Sequence, residues 1–185
     1  VPPLHSWYGL RVAMPLAGLA LWIGAGPIAG EERSGTLALL LANPLSRTHV
    51  LVAKATAMVV LTVLGGVILA AFAVASPTIL GTSLGGADPG ALVVHMTVNA
   101  MFYGFLALAI GGWTGNGGLA AGVTAGVMIV SYLAVGLLPL IEGLGNLVRI
   151  CPWYYFERSR TLVNGIERAD LAGLLVGCVL FLLIA

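Results

Sequence analysis

The chain has 185 residues, of which 59% are hydrophobic and only 8% are charged, and its mean hydropathy is +1.06. A soluble domain has roughly 25% charged residues, so this composition excludes an ordinary soluble fold and indicates an integral membrane protein. The net charge of +1 carries little information, but most charged residues fall in two stretches, 31–54 and 142–170. We therefore expect a single transmembrane domain over residues 1–185, surrounded by membrane lipid and without a nucleic-acid partner.

Five apolar runs come close to, or exceed, the roughly 20 residues that a helix needs to cross a hydrocarbon core about 30 Å thick. Backbone groups in a bilayer must be satisfied within the protein, and these runs do not alternate apolar with polar residues as barrel strands would. The sequence therefore predicts an all-α fold, a polytopic transmembrane helical bundle. The predicted spans are approximately residues 10–29, 50–76, 91–113, 117–141 and 169–185.

The first connection, residues 31–48, is a charged insert between apolar spans, and it begins EERSGTLALLLANPLSR. Gly35 is suited to end the helix that leaves the membrane, Thr36 to cap a second helix and Pro44 to close it. Leucines at i, i+3 and i+4 give this second helix an apolar face. The pattern predicts a short amphipathic helix at the membrane surface. It could anchor the loop, or it could be a surface that another protein binds.

The last connection, residues 142–168, is long, aromatic and mixed in charge. Basic residues lie in both this loop and the insert, although three intervening spans put the two on opposite sides, so the positive-inside rule cannot hold for both. We place the insert in the cytoplasm and this loop outside, because the loop also carries acidic residues and a run, Trp153 to Phe156, typical of an interfacial aromatic belt. A gate at an outer exit is the alternative function for this run.

Two sets of residues inside the spans have functional interpretations. His95 and Asn99 lie four residues apart and share a helix face, and polar groups at membrane depth usually face the protein interior or a pathway. Hydrogen bonds between helices and contact with a passing substrate both remain open for this pair. Stripes of small residues that permit close packing, within one subunit or between two, occur at Gly118, Gly122, Gly126, Gly173 and Gly177.

The sequence offers few groups for catalysis. Cys151 in a loop and Cys178 in a span have no evident partner for a disulfide or a metal site. An intramembrane enzyme needs ionisable or nucleophilic groups that converge at depth, and the spans offer little beyond His95 and Cys178. The chain has no GxxxxGK[ST] motif, so it cannot cradle ATP phosphates by that route. We expect no catalytic residue, metal site or cofactor.

The insert, followed by Lys54 at the start of the next span, resembles the segment between the second and third membrane helices of ABC-2-type transporter permeases. That segment commonly has Glu-Glu, Gly-Thr-Leu, a leucine run, Pro, Ser-Arg and a downstream Lys. A weaker similarity lies in residues 151–156, with Asn164-Gly165 before the final span. Members of this family have six spans. The resemblance therefore implies that the five spans here are the second to the sixth, and that the first span and the C-terminal tail are absent.

The resemblance also implies a function, the export of a substrate across the cytoplasmic membrane by a permease subunit that is not itself an enzyme. The partners it implies are a separate ATPase subunit and a second permease subunit, in a homodimer or heterodimer. Contact with the ATPase would fall on Glu31, Glu32, Arg33, Gly35, Thr36, Pro44, Ser46 and Arg47. An ATP-independent channel or scaffold, and an intramembrane enzyme, are the alternatives. An apolar pathway fits a lipid-like or amphipathic substrate better than a strongly charged one.

Overall fold

A computed structural model of the protein describes residues 12–33, 47–81, 88–158 and 161–185. These ranges contain helices joined by turns and have no strand, which confirms the predicted all-α class. In chain order the helices are α1 (Met14–Arg33), α2 (Arg47–Leu80), α3 (Pro89–Thr114), α4 (Gly117–Leu137), α5 (Pro152–Arg158), α6 (Thr161–Asn164) and α7 (Arg168–Ile184), with 3₁₀ helices at Leu138–Leu140 and Gly145–Ile150.

Three stretches are long and apolar enough to cross a membrane, namely Thr48–Ala75, Pro89–Thr114 and Gly117–Leu140. α1 and α7 occupy the positions of the first and fifth predicted spans. However, the apolar stretch Met14–Gly26 is shorter, and α7 has 17 residues. The structure thus confirms a membrane bundle, while the count of five spans stays a prediction.

The turn between α3 and α4 follows from local capping. Asp88 begins α3 by accepting a hydrogen bond from the Ala91 backbone N–H at 2.9 Å. Gly115 ends it, because its φ of +64° is a left-handed conformation that glycine adopts without steric cost. Asn116 then caps α4 by accepting from Leu119 at 3.1 Å. These two residues reverse the chain between antiparallel helices, where the sequence predicted a tight turn.

The C-terminal ends of α2 and α4 differ from the predicted span ends, and a proline lies near each of them. α2 continues through Pro77 and ends at Leu80, before Gly81 with φ of +63°. The α-helix of α4 ends at Leu137, four residues before the predicted end, and continues as a 3₁₀ turn containing Pro139. Proline lacks an N–H and is tolerated more readily near a helix end than in its interior.

Helix α3 is the centre of the bundle and contacts α1, α2, α4 and α7 as well as the short helices α5 and α6. Glycines at these contacts fix the register. A Cβ at Gly24 of α1 would meet the carbonyl of Gly104, and one at Gly66 of α2 would meet Thr97. A Cβ at Gly177 of α7 would meet the Phe102 ring. Farther toward the C-terminal end of α3, Met58 of α2 meets Gly104 and Ala185 at the end of α7 meets Gly112, while Ala25 of α1 clusters with Ala107. α1 and α7 therefore run parallel to α3, and α2 runs antiparallel to it.

The two ends of the bundle follow from these directions. α1 ends, α2 begins and α3 turns into α4 at one end, which we call the insert end. The start of α3, the end of α4 and the segment that contains α5 lie at the opposite end, which we call the loop end. The end of α1 and the start of α2 thus lie at the opposite end of the bundle from α5.

The last loop is largely helical, and its aromatic run does not lie as the sequence analysis expected. Trp153 and Phe156 of α5 are fully buried. The Trp153 ring packs edge-on against Tyr132 of α4, with ring centroids 5.6 Å apart, and lies 6.4 Å from Tyr103 of α3. An interfacial belt would turn these rings toward lipid, whereas here two of them fill the core at the loop end.

Candidate functional site

The predicted ATPase-contact segment falls mostly outside the described residues. Gly35, Thr36, Pro44 and Ser46 all lie there. Glu31, Glu32 and Arg33 form the end of α1 and Arg47 is the first residue of α2, and the structure describes only their backbone. α1 and α2 pack against each other and are antiparallel, so the two ends of the insert leave the bundle together at the insert end.

The second candidate, His95 with Asn99, lies inside the bundle. Both residues have 0% exposure, as does Tyr103 one further turn along α3. Residues at i, i+4 and i+8 lie along one side of a helix. The three side chains therefore form a continuous line, which we call the polar stripe. The sequence analysis missed Tyr103, although its spacing of four from Asn99 was visible.

The hydrogen bonds of the polar stripe are incomplete. His95 Nδ1 lies 3.0 Å from the backbone oxygen of Ala91, so Nδ1 carries the proton and donates. In the neutral ring Nε2 then holds a lone pair, and this atom has no hydrogen-bond partner. Neither polar atom of the Asn99 amide has one. The hydrogen bonds between helices that the sequence analysis considered are thus not formed by His95 Nε2 or by Asn99.

The register between α3 and α4 brings one further buried hydroxyl, that of Thr124, to the level of the polar stripe. Tyr103 shares a core cluster with Met128 of α4, and Ala107 shares one with Ala120. Thr124 lies on α4 between Met128 and Ala120, and so at the level of Tyr103 to Ala107 on α3. Thr124 is fully buried and its hydroxyl has no partner. By contrast, the buried Thr62 hydroxyl donates to the backbone oxygen four residues earlier, at 2.7 Å.

Unpaired buried groups of this kind are unfavourable. Each costs about 1–3 kcal/mol relative to the same group with a partner, and apolar side chains of similar size would avoid that cost. Buried polar atoms in folded proteins are nearly always hydrogen-bonded, so exceptions need an explanation. Several exceptions along one helix face identify the polar stripe as the most unusual chemical feature of the described chain.

The predicted small-residue stripes divide into two groups. A Cβ at Gly122 or Gly126 would have no other atom within 4 Å, and one at Gly118 would meet only the nearby Asn116 side chain. These glycines of α4 therefore do not pack inside the subunit. On α7 the result differs, because a Cβ at Gly177 would meet the Phe102 ring and one at Gly173 would lie 3.7 Å from the Tyr155 ring.

A groove of about 410 Å³ follows the outer face of α4 next to the segment that leads into α5. Its walls are almost entirely apolar, and Ser131 uses its hydroxyl to accept a hydrogen bond from the Trp153 backbone N–H at 3.1 Å. The groove is lined by Val123, Gly126, Val127, Val130, Ser131, Ile150, Cys151 and Pro152. It could accept an apolar segment or a lipid chain.

Titratable groups do not cluster into a metal centre within the described ranges. These ranges contain no group of three or more His, Cys, Asp or Glu residues that could hold a metal ion. Cys151 and Cys178 are both free thiols. Burial in α5 raises the pKa of Glu157 above its usual range, because the surroundings disfavour the charged carboxylate.

Comparison with known proteins identifies the family. No curated protein and no solved structure matches the chain. A family model described as ABC-2 family transporter protein matches residues 9–150, which include the insert, α1 to α4 and the polar stripe. This agrees with the all-helical membrane bundle and with the resemblance in the insert. The chain belongs to the ABC-2 family of transporter proteins and is a membrane subunit of the permease type.

Proposed function

We propose that this chain is the permease subunit of an ABC-2-type exporter, which moves a substrate across the cytoplasmic membrane with energy from a separate ATPase chain. The observation that carries the proposal is the family match over residues 9–150. The charged insert supports it, because a connection between two membrane helices needs neither paired charges nor a punctuated helix.

The ATPase would bind at the insert, through Glu31, Glu32, Arg33, Gly35, Thr36, Pro44, Ser46 and Arg47. Charges at such an interface set the partner's orientation and encounter rate more than they add affinity. α1 and α2 flank the insert and both contact α3. A movement of the ATPase would therefore be passed by rigid helices to the centre of the bundle, in the manner of a two-state transition.

A second permease subunit would pack against α4. The exposed side of α4 carries Gly118, Gly122 and Gly126, which permit close approach of another helix. Both α2 and α4 expose large aliphatic side chains, but the two glycines of α2, Gly65 and Gly66, are not exposed. The glycine face of α4 therefore suits a second copy of the chain or a closely similar partner.

The proposal is tested by purifying the full-length protein from its native host in mild detergent and identifying bound chains by mass spectrometry. The test variant combines Glu31→Lys, Glu32→Lys and Arg47→Glu. The matched control combines Glu142→Lys and Arg149→Glu, two exposed residues at the loop end. We expect an ATPase with a phosphate-binding motif to bind the wild type and the control, and to be lost from the test variant.

The possible results test the exporter function and the ATPase-binding site in the insert separately. Recovery of the ATPase with all three proteins would contradict binding through the insert but leave the transporter function standing. A wild-type preparation without an ATPase would contradict the exporter and favour an ATP-independent channel or scaffold.

A further inference from the structure

We propose that the polar stripe of His95, Asn99 and Tyr103 lines a path that opens to water during the transport cycle, and that this path binds the uncharged, hydrogen-bonding part of the substrate. The proposal rests on the transport function above and extends it to the site and class of substrate. It starts from His95 Nε2 and the Asn99 amide, which are buried without hydrogen-bond partners. In a second conformation, water or substrate would supply those partners.

The position of Asn99 identifies where the path would open. Successive residues of α3 project 100° apart around its axis, so Asn99 projects midway between Phe102 and Met96. Phe102 contacts α7, and Met96 clusters with the small residues of α1. Asn99 therefore faces the seam between α7 and the side of α3 on which α1 and α4 pack. At the loop end this side of α3 is covered by α5, whose Trp153 ring lies next to Tyr103.

The packing of α1 makes a separation at this seam feasible. The α1 residues that pack on this part of α3 are mainly small, namely Ala13, Ala17 and Ala20, with Leu16. Separating a face of small residues loses less contact area than separating interlocked large side chains. α1 also ends at the insert, so a partner bound there would act directly on the helix that borders the stripe.

The dimensions of the stripe suit a pathway. From His95 to Tyr103 the axis of α3 rises about 12 Å, and Thr124 of α4 lies at the level of Tyr103 to Ala107. The stripe therefore covers more than a third of a hydrocarbon core about 30 Å thick. A stripe of this length offers successive binding positions along the direction of transport.

The side chains define the class of ligand. His95 Nε2 accepts, Asn99 both donates and accepts, and the Tyr103 and Thr124 hydroxyls do either. None of these groups carries a fixed charge that would balance a charged ligand in an apolar bundle. The buried carboxylate of Asp170 on α7 already interacts with another group of the protein. The stripe thus fits hydroxyl or amide groups, as an amphipathic uncharged substrate would present.

Cysteine accessibility tests the path in the full-length subunit with its ATPase in membrane vesicles. Cys151→Ser and Cys178→Ala remove the native thiols, and Asn99→Cys or His95→Cys adds one thiol to the stripe. Leu108→Cys is the matched control, because Leu108 is equally buried but lies on the opposite side of α3, in the cluster with Met58 of α2. The probe is a water-soluble methanethiosulfonate reagent, applied with and without ATP.

We expect ATP to accelerate labelling of Asn99→Cys at least tenfold, with Leu108→Cys unreactive in both states. Reagents with hydroxyethyl, trimethylammonium and sulfonate groups then test the ligand class. The hydroxyethyl reagent is expected to react fastest with the stripe, relative to its rate with a free thiol in solution. A faster reaction by either charged reagent would overturn the assignment of an uncharged substrate.

Labelling at positions 95 and 99 that stays as slow as at 108, in a complex that still binds and hydrolyses ATP, would overturn the path while leaving the exporter intact. Absence of a bound ATPase would instead contradict the exporter, and the path with it. Asn99→Leu supplies a check on folding. It removes two unpaired polar atoms, so its thermal midpoint is expected to rise above that of the wild type.

Discussion

The glycines of this bundle differ in how closely a neighbouring helix packs against them. A Cβ at Gly104 would meet the Ala20 backbone oxygen at 3.1 Å and the Met58 sulfur, because α1 and α2 both approach α3 there. A Cβ at Gly122 would enter open space. Sequence spacing identifies stripes of glycine, but helix rotation decides which stripe is packed. For this reason the sequence analysis selected Gly122 and missed Gly104.

We therefore expect Gly104→Ala to destabilise the subunit by about 1–3 kcal/mol, the usual cost of overpacking a filled interior. Gly122→Ala is the matched control, and its stability should be unchanged or raised by up to about 1 kcal/mol, since alanine favours the helix. Thermal unfolding in detergent measures both variants. Equal stability of the two would mean that α1 and α2 do not approach α3 at Gly104 as closely as described.

Glu157 gives the stability of the protein a pH dependence. Burial raises the pKa of Glu157 in the folded state. As the pH rises above about 4.3, the Glu157 carboxyl therefore ionises first in the unfolded chain, and the free energy of unfolding decreases. Glu157→Gln should unfold at the wild-type temperature near pH 4 and at a higher temperature near pH 7. The gain is modest because Glu157 is only partly buried. Glu142→Gln at an exposed position controls for the loss of one negative charge, and an equal gain there would contradict the explanation.

At the scale of elements, local signals predicted the helix ends better than the helix partners. Asp88, Gly115 and Asn116 act within their own turns, so the α3 and α4 boundaries lay close to those read from the sequence. The burial of α5 depends on Tyr103 and Tyr132, which are distant in the chain. An aromatic run between two spans has the same sequence pattern whether it faces lipid or the core, so the pattern alone could not place it.

The docking of α5 should depend mainly on Trp153. Trp153→Ala is expected to cost about 3–5 kcal/mol, as is typical when a large buried side chain is truncated. Trp113→Ala is the control, because Trp113 is 84% exposed at the opposite end of α3, and its expected cost is below about 0.5 kcal/mol. Denaturation followed by the remaining tryptophan fluorescence measures both. Similar costs for the two variants would contradict the burial of α5 in the core.

At the scale of the whole molecule, burial is concentrated in one helix. α3 is enclosed by its neighbours, whereas α2 and α4 expose most of their apolar side chains. A lipid environment accounts for large aliphatic groups on such surfaces, but it does not account for a row of exposed glycines, which give lipid little to pack against. The second subunit proposed above is therefore expected at the glycine face of α4, with α2 facing lipid.

Cross-linking tests this difference. In the full-length chain with Cys151→Ser and Cys178→Ala, Gly122→Cys adds a thiol where a side chain has open space. Two copies that pack through α4 would bring these thiols within the roughly 7 Å between Cα atoms that a disulfide permits. We expect oxidation in membranes to yield a covalent dimer from Gly122→Cys and none from Val67→Cys, at an exposed valine of α2. A dimer from Val67→Cys alone would assign the second subunit to α2, and the glycines of α4 would then face lipid.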